Sequence, residues 1–164
     1  MRILFVHQNF PAQFRHLALA LQQKGHEVLA LTANTNKNPI SLSVVQYPWQ
    51  AKVYDRKIFG FATTYAEMTE RAQTVAITCL QLKNQKNYTP DVILGHLGWG
   101  ETLFLKEVWP DARLLVYAEF FYRSRNLDTD FDPEFYKEDL GQRMWVTARQ
   151  AHLLQAIHSA DALL

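Results

Sequence analysis

Four short, unbroken apolar runs constrain this fold more than any other feature of the chain. They are Ile3-Leu4-Phe5-Val6, Val28-Leu29-Ala30-Leu31, Val92-Ile93-Leu94 and Leu114-Leu115-Val116-Tyr117-Ala118. A strand with one wet face alternates apolar with polar residues, whereas a strand covered on both faces reads as a continuous apolar run. The segments between them change period. Phe14, Leu17, Ala18 and Leu21 recur at helical spacing, and Tyr65, Met68, Ala72, Val75, Cys79 and Leu82 mark the inner face of a longer helix over about 64–86. Strands alternating with helices predict an α/β fold: a Rossmann-like, three-layer parallel sheet with helices on both faces.

Local signals set the expected boundaries. Strands are expected over 3–7, 28–31, 42–47, 92–95 and 113–120. Pro11 suits the first turn of a helix, and Gly25 suits the left-handed residue that ends it. Thr64 and Glu67 have capping-box spacing. A short helix is expected over 100–108, stopped by Pro110, and a last helix from near Asp139 with Leu140, Met144, Ala148, Ala151 and Leu154 inward. Residues 54–61 read as a short helix or a loop, and 126–132 as a polar, acidic loop. Ala162-Leu163-Leu164 reads as the first residues of another buried strand, so residues 1–164 are expected to be the front part of a longer chain.

Composition excludes several classes. The chain has 164 residues, 48% of them hydrophobic, enough for one domain with a sizeable core. A formal net charge of +1 builds no basic field for nucleic acid. A single cysteine, Cys79, excludes an internal disulfide and a Cys-rich zinc site, and is expected to pack as a small apolar residue. The run at Ile3–Val6 ends in polar His7-Gln8-Asn9, too soon for a signal-peptide core or a membrane span, so a cytoplasmic protein is expected.

In an open α/β sheet, ligands bind beyond the carboxyl ends of the strands. Three segments fall there. His7, Gln8, Asn9 and Phe10 follow the first strand; they either line a cleft or form a turn in which Asn9 caps the next helix. His96-Leu97-Gly98-Trp99-Gly100-Glu101 follows the fourth. There His96 either bonds a substrate hydroxyl or holds a neighbouring loop, Trp99 stacks on a ring or fills the packing, and Glu101 binds hydroxyls or favours a helix start. Gly98 and Gly100 allow close backbone approach. Glu119 follows the fifth strand and either pairs with Arg123 or Arg125 or contacts substrate as a cleft carboxylate, and Phe120, Phe121 and Tyr122 form an aromatic run beside it. Tyr47-Pro48-Trp49 and the segment Tyr54 to Phe61 either form another wall of the site or cover the sheet edge. His152 and His158 are six residues apart, which does not place them on one helix face, so no metal site is expected.

Several segments in order carry a family resemblance. Met1-Arg2-Ile3-Leu4-Phe5-Val6-His7-Gln8-Asn9-Phe10-Pro11-Ala12-Gln13-Phe14-Arg15-His16-Leu17 resembles the opening of a family 4 glycosyltransferase. Lys24-Gly25-His26-Glu27-Val28 resembles the helix-to-strand passage of those enzymes. Gly95-His96-Leu97-Gly98-Trp99-Gly100-Glu101-Thr102, Val108-Trp109-Pro110-Asp111-Ala112 and Glu119-Phe120-Phe121-Tyr122-Arg123 resemble one subgroup of them.

The resemblance implies that residues 1–164 are the N-terminal, acceptor-side domain of a two-domain GT-B glycosyltransferase of hexosyltransferase type. It implies a nucleotide-sugar donor held mainly by a C-terminal domain outside these residues, retention of configuration, and no metal or other cofactor. His96 and Glu119 are then the candidate catalytic residues. His7, Gln8, Asn9, Phe10, Gly98, Trp99, Gly100, Glu101, Tyr122 and Arg123 are the candidate substrate-binding residues. The implied partners are an acceptor glycan, lipid-linked sugar or small molecule, and the chain's own donor-binding domain. That is compatible with peripheral association at the inner face of the membrane. One departure is Ala12, where many relatives carry glycine in the loop that approaches the donor phosphate. A stand-alone flavodoxin-like binding or regulatory domain is the competing expectation. A dinucleotide oxidoreductase fits poorly, because no Gly-x-Gly-x-x-Gly follows the first strand.

Overall fold

The computed structural model describes residues 1–50, 59–125, 132, 134 and 139–164. Six parallel strands form one sheet in the order β3-β2-β1-β4-β5-β6. They are β1 (Arg2–Val6), β2 (Glu27–Ala33), β3 (Ser43–Tyr47), β4 (Val92–His96), β5 (Arg113–Tyr117) and β6 (Ala162–Leu163). The helices are α1 (Arg15–Gln23), α2 (Thr63–Lys86), α3 (Leu105–Val108), α4 (Leu140–Ala148) and α5 (Ala151–Ser159). This is the strand order of a Rossmann sheet, and it reverses direction between β1 and β4.

Strands β1 to β5 feed both layers, as a period of two requires. Leu4, Val6, Leu31, Ile93, Leu114 and Val116 join Met68, Ala72, Val75 and Cys79 of α2 on one face. Ile3, Phe5, Val28, Ala30 and Leu94 pack with Phe14 and with Ala18 of α1 on the other. The continuous apolar runs therefore arise as expected from strands covered twice. Cys79 is free and buried among these residues.

Gly25 ends α1 as the sequence predicts. It takes a φ of +83°; its N–H donates to Gln22 O and that of His26 to Leu21 O, which is the Schellman arrangement. The Asp139 carboxylate caps α4, accepting from the N–H groups of Gly141 and Gln142.

Several expectations are corrected. No side chain caps α2, so Thr64 and Glu67 form no capping box. Asn9 caps nothing either, since a 3-10 turn at Ala12–Phe14 precedes α1 and neither has a side-chain cap. α3 begins at Leu105 rather than at Gly100, and β5 ends at Tyr117 rather than at Phe120. Leu17 and Tyr65 are exposed rather than inward. The last helix is two helices separated by Arg149 and Gln150, which changes its buried face. Leu140 is 62% and Met144 49% exposed, while Val146, His152, Leu153 and Ala156 point inward. Of the short helix or loop expected over 54–61 and the loop expected over 126–132, only 59–61 and Asp132 lie among the described residues.

Candidate functional site

The β1–β4 reversal leaves a crevice at the carboxyl ends of the strands, and two imidazoles stand there. His7 follows β1 and His96 ends β4; their rings meet edge to face with centroids 5.4 Å apart. Both are buried. His96 Nδ1 accepts the Gly98 N–H at 3.0 Å, which leaves the ring proton on Nε2, 2.9 Å from Glu119 Oε2. Gln13, before α1, donates its side-chain amide to the same carboxylate oxygen at 2.9 Å. The hydrogen bond from His96 holds the Glu119 carboxyl below the usual carboxylate range, with help from Gln13. Glu119 is thus an ionised acceptor at neutral pH, and its side chain is 46% exposed. The expected partners Arg123 and Arg125 are replaced by an imidazole and an amide, because β5 ends early and turns Glu119 toward β4 and α1.

His7 differs. Its Nδ1 accepts the Asn9 N–H at 3.0 Å, and Nε2 is buried with no partner among the described residues. Burial lowers its pKa to about 4, with the nearby His96 adding to the effect, so it is neutral at physiological pH.

A cavity of about 400 Å³ opens beside this group. Its polar lining is Thr64, His96, Glu119, Arg149 and His152, and its aromatic lining is Trp99, Phe120 and Tyr122. Trp99 is 38% exposed and lies tilted beside His96, 6.1 Å between centroids, so it presents to the cavity rather than plugging the packing. The loop that carries it is fixed by Gly100. At φ +79° that residue lies so close to α2 that a Cβ would sit 2.4 Å from the Met68 carbonyl oxygen.

The other candidate residues separate from this cavity. Glu101 is fully buried; its carboxylate accepts from the Tyr47 hydroxyl at 2.6 Å, and burial raises its pKa to about 7. It therefore neither starts a helix nor faces the cavity. Gln8 turns toward α2, where its side-chain oxygen accepts from Arg71, whose guanidinium carbon lies 4.3 Å from the Trp49 ring centroid. Phe10 is in the core against Phe5, so the substrate-contact expectation for it is corrected. Asn9 and Arg123 are exposed and do not line the cavity, and Gly100 does not line it either. Gly98 and Tyr122 do. Sequence reasoning missed Arg149 and His152 as site residues. Two basic or titratable residues at i, i+3 in an apolar helical pattern were the available signal. Gln13 carried no signal at all.

Among the described residues, no group of three or more His, Cys, Asp or Glu is placed to hold a metal ion. Nor is any helix among them long and apolar enough to cross a membrane.

Residues 24–164 match the model of the glycosyl transferase family 4 group. The chain belongs to that family. The chain also shares its fold with solved glycosyltransferases of GT-B architecture. The SsfS6 glycosyltransferase of Streptomyces sp. SF2575, complexed with thymidine diphosphate, is 14% identical, with a TM-score of 0.52 over 96% of this chain and 44% of that one. Acinetobacter baumannii MurG is 16% identical over 71% of this chain and 34% of that one, with a TM-score of 0.45. The family 4 chain thus spans less than half the length of these neighbours. No curated protein matches it.

Proposed function

We propose that this chain is the N-terminal, acceptor-side half of a glycosyltransferase that moves a hexosyl group from a nucleotide sugar to an acceptor hydroxyl, with retention. The observation that carries the reading is the His96–Glu119 pair at 2.9 Å, at the strand ends beside an aromatic-lined cavity, in a family 4 chain.

Glu119 accepts the acceptor hydroxyl's proton in a hydrogen bond, and His96 orients that carboxylate through Nε2–H. Trp99, Phe120 and Tyr122 cover the faces of the acceptor ring. The residues supply positioning and fixed charge near an oxocarbenium-like state, the two effects that need no strong nucleophile. His7 and the turn after it face the donor side. Ala12 takes a left-handed φ of +38°, a conformation that glycine adopts readily, so its side chain does not prevent the turn.

The donor nucleotide is held by a second domain beyond these residues, with no metal or other cofactor. The chain works in the cytoplasm on a glycan, a small molecule or a lipid-linked sugar, in the last case at the inner membrane face. The test compares the 164-residue chain with the longer natural protein against a panel of nucleotide sugars, following nucleotide release and the product anomer. Turnover by the longer protein alone, with the donor's configuration kept, is expected. Robust turnover by the 164-residue chain, inversion, or no turnover by either would overturn the proposal.

A further inference from the structure

Arg149 occupies the step between α4 and α5. Its guanidinium carbon lies 4.8 Å from the ring centroid of Tyr122 and 4.5 Å from that of Trp145. The neighbouring Gln150 fixes the step by donating its side-chain amide to the Tyr122 carbonyl. Arginine has five N–H donors arranged at the edge of a planar group. Those of Arg149 have no hydrogen bond or ion pair among the described residues, although the side chain lines the cavity. Stacking on aromatic rings leaves the donor edge open, and that edge matches the paired oxygens of a carboxylate or phosphate.

A second observation points to the same place. His152, three residues on, is 4% exposed and lines the same cavity. Its Nε2 donates to Gly98 O at 3.3 Å, which leaves Nδ1 as a buried acceptor without a partner.

Resting on the acceptor-site reading above, we infer that the acceptor carries an oxyanion group, phosphate or carboxylate, which the donor edge of Arg149 binds while His152 Nδ1 accepts an adjoining hydroxyl. Glu119 shares the cavity and repels an anion, but it is already engaged by His96 and Gln13. A ligand with a hydroxyl for Glu119 and an oxyanion for Arg149 satisfies both ends. A neutral polyol gives Arg149 nothing that water does not. Partial enclosure by aromatic rings strengthens the charge pair relative to open solvent.

Glucose, glucuronate and glucose 6-phosphate serve as probes, titrated into the chain while the Trp99 indole and the His96 and His152 imidazole signals are followed by NMR. At least one charged probe should bind about ten- to a hundredfold more tightly than glucose, the worth of one charge-assisted hydrogen-bonded pair. The preferred probe then identifies phosphate or carboxylate. Arg149→Gln should abolish that advantage, and Arg149→Lys, which keeps the charge and loses the fork, should keep part of it. Retained thermal midpoints show that the variants fold. Equal binding of all three probes overturns the inference while leaving the acceptor site standing, as does a charge advantage that survives Arg149→Gln. No binding by any probe overturns the inference too; the turnover test above decides separately whether the transferase reading survives.

Discussion

Replacing Gly100 with alanine should unfold the loop that carries Trp99, and its cost can be worked from two separate causes. The first is backbone conformation. Gly100 has φ +79°, where an L-residue costs about 1–2 kcal/mol. The second is space. The new Cβ would lie 2.4 Å from the Met68 carbonyl oxygen and 2.8 Å from Met68 Cα. These are backbone atoms within a 24-residue helix, so no side-chain rotation relieves the clash. Overpacking of this kind costs about 1–3 kcal/mol. The sum, about 2–5 kcal/mol, is a large share of the roughly 5–15 kcal/mol that holds a domain together. At about 2–4 °C per kcal/mol for this size, the melting midpoint should fall by about 5–20 °C. Two glycines separate the causes. Gly25, at φ +83° with nothing within 4 Å of a Cβ, carries the conformational cost alone, so Gly25→Ala should lose about 1–2 kcal/mol. Gly60 has neither constraint, and Gly60→Ala should be neutral or stabilising by about 0.4–1 kcal/mol. Urea and thermal denaturation of the three variants are the assay. A Gly100→Ala protein no less stable than Gly25→Ala would refute the close-packing argument.

Two further perturbations follow from buried polar groups. His7 ordinarily titrates at 6.5 and here at about 4, so between those values the unfolded chain takes up a proton that the folded chain refuses, and stability falls by about 3 kcal/mol as pH drops. Glu101 ordinarily titrates at 4.5 and here at about 7, so the folded chain keeps a proton over that range, and stability falls by a similar amount as pH rises. The two slopes oppose each other, and Glu101→Gln should expose the acid-side loss in urea midpoints measured from pH 7 to 4; a flat profile in that variant contradicts the assignment. Asp161 Oδ2 accepts the Leu114 N–H at 2.7 Å and the Lys106 ammonium at 2.9 Å, so Asp161→Ala should cost about 1–3 kcal/mol and speed amide exchange at Leu164, which pairs onto β5. Unchanged exchange there would show that β6 docks without it.

The strands were legible because a parallel sheet buried on both faces writes itself as unbroken apolar runs. The cleft was legible for the same reason, since those runs place His7, His96 and Glu119 at strand ends. What escaped depended on contacts between distant segments. Glu101 looks like a helix-start carboxylate, but Tyr47, 54 residues away, receives it in the interior. Arg71 looks like a solvated helix position, yet Gln8 and Trp49 cover it. The final helical pattern broke at Arg149 and Gln150 without a proline or glycine to announce the break. Its true inner face contains His152, which a hydropathy pattern assigns to solvent and which Gly98 O holds inside.

The central claim is that the acceptor hydroxyl is held beside the His96–Glu119 pair. Its most direct test is the transfer kinetics of His96→Ala in the two-domain protein proposed above, with nucleotide-sugar affinity measured alongside. Loss of one preorganised hydrogen-bonding group should lower kcat/KM for transfer by about a hundredfold while donor affinity is unchanged. Transfer at the wild-type rate by a folded His96→Ala protein would place the acceptor elsewhere.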